Sequence, residues 1–130
     1  MTSFISNIKI DKSVEDVYRF LEDCNNHEQL QPENIYNWTS TRDEAHFTIQ
    51  NMAKLSLKIK ERVVNQSVEF IPSDKAPFDL FLKWTIRDEG GTSDVKLELG
   101  ADLNMMMKMM ASGPLQKLVD FQTKKLAEVL

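Results

Sequence analysis

From Asn34 to Leu103 the hydrophobic residues recur with a period of two, and toward the C-terminus the period becomes helical. That switch constrains the fold more than any other feature of the chain. Leu55, Leu57 and Ile59 alternate with Ser56, Lys58 and Lys60. Phe78, Leu80, Leu82, Trp84 and Ile86 fall on one face of a second run, and Val95, Leu97, Leu99, Ala101 and Leu103 on one face of a third. Successive side chains of a strand point to opposite faces, so these runs are strands with one apolar side. Asn34–Thr39, Ala45–Gln50 and Val68–Ile71 complete the set, with turns at Arg42-Asp43, Asn65-Gln66 and Gly90-Gly91 and a loop over Pro72–Pro77. Leu115, Leu118, Val119, Gln122, Leu126, Val129 and Leu130 then share one helical face, with Lys117, Lys124 and Glu128 opposite. A one-sided antiparallel sheet must cover its apolar face, and the C-terminal helix is the long amphipathic element left to do so.

The front of the chain supplies the remaining parts. Phe4–Ile10 reads as a first strand. Ser13 with Asp16 three residues on forms a capping box, and Val14, Val17, Tyr18 and Leu21 make residues 14–23 an amphipathic helix. Cys24-Asn25-Asn26 is expected to break it, with His27–Leu30 a short second helix ending before Pro32. Pro114 suits the first turn of the last helix, or else it kinks a longer helix that begins near Asn104. The expected class is α+β: a helix-grip fold, with a curved antiparallel sheet of about seven strands wrapped around a long C-terminal helix and one or two short helices after the first strand.

Composition narrows the function. A length of 130 residues suits one domain spanning 1–130, and 42% hydrophobic with 28% charged residues is a globular balance. The net charge of −4 and a pI near 5.2 argue against a nucleic-acid partner. Lys54, Lys58, Lys60 and Arg62 read as the solvent face of a strand. Cys24 is the one cysteine, so no internal disulfide forms, which fits a reducing compartment. Met1-Thr2-Ser3-Phe4 lacks the marks of a signal peptide, and no apolar run reaches the roughly 18 residues of a membrane span. The expectation is a cytoplasmic protein with no integral membrane span.

The order of elements resembles the START-related (SRPBCC) superfamily, which includes polyketide cyclase/dehydrase-like and lipid-transport-like proteins. The resemblance is carried by Ile10 to Leu21, by Leu57-Lys58-Ile59-Lys60-Glu61, by Phe78 to Ile86 and Val95 to Leu103, and by Gly113-Pro114-Leu115. It implies a cavity between sheet and final helix that holds an apolar small molecule. It transfers no catalytic residue, because none of the family's active-site patterns matches here, and a fold alone does not fix a function.

The chemistry-bearing residues are few. Two histidines, His27 and His46, and one cysteine do not make a zinc site, which wants three or four convergent ligands, and no cofactor motif is present. Cys24 and His27 at i, i+3 are the nearest approach to a nucleophile with a base. Glu61 keeps the parity of Leu57 and Ile59, so an unbroken strand would turn it inward, whereas a bulge or strand end would leave it at the rim. Gln122 sits on the apolar stripe of the last helix, and a buried amide without a partner costs roughly 1–3 kcal/mol, so it bonds either a ligand or the protein. Tyr36, Trp38, Phe47, Phe70 and Trp84 are candidate lining aromatics. Met105, Met106, Met107, Met109 and Met110 cannot share one helical face, so some are exposed, as a portal, a membrane-touching edge or a dimer patch.

The leading expectation is a binding module without a catalytic site, whose partner is an apolar or amphipathic small molecule. Its wall is expected to comprise Leu57, Ile59, Glu61, Phe70, Leu82, Trp84, Leu97, Leu99, Leu118 and Gln122. The alternatives are a cyclase/dehydrase-like enzyme using Glu61 with Tyr36 or Gln122, and a protein-interaction module, including a homodimer, using Met105–Met110.

Overall fold

The computed structural model describes residues 1–130. Strand β1 (Thr2–Ile10) leads into helix α1 (Val14–Leu21) and a 3-10 helix (Cys24–Leu30). Six strands follow: β2 (Ile35–Ser40), β3 (Glu44–Ile49), β4 (Ala53–Val63), β5 (Ser67–Pro72), β6 (Leu80–Asp88) and β7 (Ser93–Ala101). Helix α2 (Met105–Val129) ends the chain. All seven strands pair antiparallel in one curled sheet of order β1-β7-β6-β5-β4-β3-β2, and α2 packs across it. The expected α+β architecture is the observed one.

Strands β1 and β2 are the two sheet edges, and the chain travels between them through α1 and the 3-10 helix. The side chain of Ser13 accepts from the Asp16 N–H at 3.2 Å, and Glu15 and Asp16 place negative charge at the positive end of α1. Val17, Tyr18 and Leu21 are its buried face. Helix α1 ends before Cys24, as expected, and Cys24-Asn25-Asn26 form the first turn of the 3-10 helix, which starts earlier than the expected His27. Asp23 caps it by accepting from the Asn25 N–H, and three residues per turn put Cys24, His27 and Leu30 in line, all buried.

Of the two starts left open for the last helix, the structure has the early one. Asn104 caps it, accepting from the Met107 N–H at 2.9 Å, and Pro114 lies inside. Pro114 offers no N–H to the Met110 carbonyl, but both residues are on the exposed side, where water substitutes. Ala111, Leu115, Val119, Gln122, Thr123 and Leu126 are its buried line. Val129, expected on that line, is exposed in the last turn, and Leu118 is only partly buried.

One irregularity matters for the site. In the β4–β5 ladder Ile59 pairs with Phe70, but Glu61 pairs with Glu69, so Lys60 is the extra residue of a β-bulge. A one-residue slip exchanges the faces of everything that follows. Glu61 therefore joins Glu69 on the outer face and is exposed. Arg62 takes the inner face opposite Val68. Its guanidinium donates to the Glu22 carbonyl through Nε and Nη2 at 3.0 and 2.8 Å, and meets Asp43 Oδ1 at 2.8 Å, tying the bulge to the end of α1.

Candidate functional site

Where α2 crosses the sheet, packing leaves a cavity of about 60 Å³. Among the residues expected in its wall, Leu57, Phe70, Leu82 and Leu99 line it from the sheet, and Leu118 and Gln122 from the helix. Four others do not. Trp84 and Leu97 have no exposed surface and belong to the close-packed core, and Ile59 packs against that core. Glu61 lies outside because the bulge at Lys60 reverses its parity. With Glu61 on the outer face and Tyr36 also exposed, the acid–base group on which the cyclase-like reading rested does not reach the cavity.

Trp38 and Phe47, expected among the lining aromatics, do line it and stack with ring centroids 5.2 Å apart. The lining also includes residues that the sequence did not place there: Cys24, His27 and Gln31 enter from the 3-10 helix and the residue that caps it. A three-residue period over Cys24, His27 and Leu30 was the available signal, hidden by the two asparagines between them. No Asp, Glu, Lys or Arg lines the cavity.

Its polar groups are therefore few and fixed. His27 is buried, with its ring edge-on to Phe70 at 5.1 Å, and its Nε2 lies 2.8 Å from the Leu21 carbonyl. A carbonyl only accepts, so Nε2 carries the proton and Nδ1 keeps a bare lone pair, for which there is no partner within the protein. Burial is the main cause that lowers the His27 pKa to about 4; the Leu21 hydrogen bond and Asp23 oppose it without restoring the usual value. The imidazole is thus neutral near pH 7.

A second chain of bonds fixes two amides. Gln31 Nε2 donates to the His27 carbonyl at 2.8 Å, which turns Gln31 Oε1 toward Gln122, and Gln122 Nε2 donates to it at 2.8 Å. Gln122 Oε1 is left without a protein donor in a residue only 4% exposed. The indole N–H groups of Trp38 and Trp84 are buried and unpaired.

Cys24 and His27 do not form a reactive pair. The imidazole N–H is committed to Leu21, and burial pushes the Cys24 thiol up to about 12, with Arg62 opposing weakly. No group of three or more His, Cys, Asp or Glu side chains is placed to hold a metal ion.

A wider space lies beside the cavity. Ile49, Phe78, Leu115 and Leu118 line both the cavity and this space of about 580 Å³, which opens to solvent between the β3–β4 turn and the start of α2. Met52 borders this mouth from the turn, and Met107, Met110 and Pro114 border it from the helix. Met105, Met106, Met109 and Met110 are each more than 70% exposed. No helix is long and apolar enough to cross a membrane.

No protein-family model matches the chain, and no curated protein matches its sequence. Solved structures do. TTHA0849 from Thermus thermophilus is 15% identical, with 98% of this chain and 95% of that one covered at a TM-score of 0.78. XoxI from Bacillus cereus is 12% identical over 99% and 95% of the two chains, also at 0.78. The Aha1 dimer from Colwellia psychrerythraea is 15% identical over 96% and 94%, at 0.66. At these identities what is shared is the fold: a curled antiparallel sheet with a C-terminal helix, consistent with a helix-grip type.

Proposed function

We propose that residues 1–130 act as one binding unit for an apolar or amphipathic small molecule, held between sheet and α2 with no catalytic step of its own. The observation that carries this reading is an uncharged, apolar cavity that shares four wall residues with a methionine-bordered mouth. The inner cavity is smaller than the roughly 300–1,000 Å³ typical of drug-sized ligands, whereas the mouth lies within that range. A bound molecule would seat its narrow end inside and its bulk in the mouth, where flexible methionines adapt to its shape.

Native mass spectrometry of protein purified from its own host, followed by organic extraction, tests the reading directly. A co-purifying apolar species supports it. A ligand present at about 100 times its Kd should stabilise the fold by about 2.7 kcal/mol and raise the Tm. A clean apo mass, together with no Tm response to a panel of apolar probes, would sink it.

A second reading, self-association through the exposed methionines of α2, rests on their exposure and on a dimeric structural neighbour. Sedimentation that stays monomeric over a wide concentration range would count against it.

A further inference from the structure

Resting on the binding reading above, we infer that the cavity selects a neutral ligand bearing a hydroxyl group, whose O–H is accepted by Gln122 Oε1 or His27 Nδ1. The protein leaves two lone pairs on the cavity wall without a donor of its own. The Leu21 carbonyl fixes the imidazole with its proton on Nε2, and the His27 carbonyl fixes the orientations of Gln31 and then Gln122. Both backbone constraints end in the same way, with a lone pair that no protein donor reaches, on residues each 4% exposed. An acceptor lone pair in otherwise apolar walls matches a hydroxyl, which brings the one proton that it lacks.

The same inventory disfavours a carboxylate. No cation lines the cavity, and the nearby Arg62 is already held by Asp43 and the Glu22 carbonyl. A buried anion would meet lone pairs and no counter-charge. Gln122 follows Leu118 by one turn of α2, away from the mouth that Leu118 borders. The hydroxyl end of the ligand is therefore innermost and its apolar body points outward.

Three probes of similar shape test this by calorimetry: 4-propylphenol, propylbenzene and 4-propylbenzoate. The phenol is expected to bind roughly three- to tenfold more tightly than propylbenzene, the span of one net hydrogen bond, and the benzoate more weakly than either. The Gln31→Leu/Gln122→Leu double variant removes the amide pair and keeps apolar volume. It should reduce the phenol's advantage, with the His27 Nδ1 lone pair remaining, while still binding propylbenzene. Equal binding of phenol and propylbenzene by the unaltered protein would overturn the hydroxyl preference and leave the cavity reading standing. Tightest binding of the benzoate would overturn it too. Failure of all three to bind would remove the cavity reading with it. Because the three-probe comparison uses the unaltered protein, it decides the matter even if the double variant does not fold.

Discussion

The hydroxyls of Ser6 and Thr123 lie 2.7 Å apart inside the protein, joining the first strand to the last helix across 117 residues of sequence. Thr123 directs its own proton to the Asp120 carbonyl at 3.1 Å, so Ser6 is the donor and Thr123 Oγ1 the acceptor. Thr123→Val should strand the Ser6 hydroxyl and cost about 1–3 kcal/mol in urea unfolding, and adding Ser6→Ala should recover part of that loss. A neutral Thr123→Val would mean that the pair is not closed in solution.

Cys24 should be inert while the protein is folded. It has no exposed surface, and its thiol, raised to about 12 chiefly by burial, supplies almost no thiolate at pH 8. Iodoacetamide is expected to label it only at the rate of unfolding, and at once in guanidinium. Rapid labelling without denaturant would show that the 3-10 helix opens on its own.

The bulge at Lys60 makes opposite forecasts for neighbouring residues. Glu61→Gln should change stability by less than about 0.5 kcal/mol, as at other exposed positions. Arg62→Ala breaks a charge-assisted contact with Asp43 and abandons two hydrogen bonds to the Glu22 carbonyl, which should cost about 2–3 kcal/mol. Arg62→Lys should not rescue it, since an ammonium lacks the planar fork. Equilibrium urea unfolding of the three variants checks the ordering, and the reverse order would mean that the bulge is misplaced.

These residues also mark how far the sequence could be read. Period-two alternation located all seven strands to within a few residues, because each strand has one apolar face and that face must be buried. Where alternation is interrupted, the sequence is ambiguous: Ile59-Lys60-Glu61 allows an unbroken strand with Glu61 inward or a bulge with Glu61 at the rim, and nothing in it marks the inserted residue that also turns Arg62, a cation expected on the solvent face, inward. The same blindness affected Cys24–Leu30, where a three-residue period is too short to stand out against two asparagines. Gln122 was legible as a buried amide in need of a partner. Its partner, Gln31, was not, because the contact joins residues 91 positions apart.

Leu126 and Leu118 share the helical face but not the same surroundings. Leu126 is fully buried, so Leu126→Ala should cost about 2–5 kcal/mol. Leu118 is partly exposed between cavity and mouth, so Leu118→Ala should cost less and widen the passage. Comparing the two by thermal and urea unfolding, with a bound apolar dye as a second readout, separates packing from gating. Equal losses would place Leu118 in the core.

The last prediction concerns pH. His27 is neutral in the folded protein down to about pH 4, whereas an unfolded histidine takes a proton near 6.5. Between those values the unfolded state holds one more proton than the folded state, so stability rises with pH across this window and is lost as pH falls through it. The loss attributable to His27 should be on the order of 3 kcal/mol once pH 4 is reached. His27→Phe lacks this titration, so the stability difference between the two proteins, followed by urea unfolding from pH 7.5 to 4, should shift in favour of the variant by that amount as pH falls. Carboxylates titrate in both proteins and cancel in the comparison. A difference that stays constant with pH would mean that water reaches the imidazole and that the cavity floor is not dry, which would also weaken the case for Nδ1 as a selective acceptor.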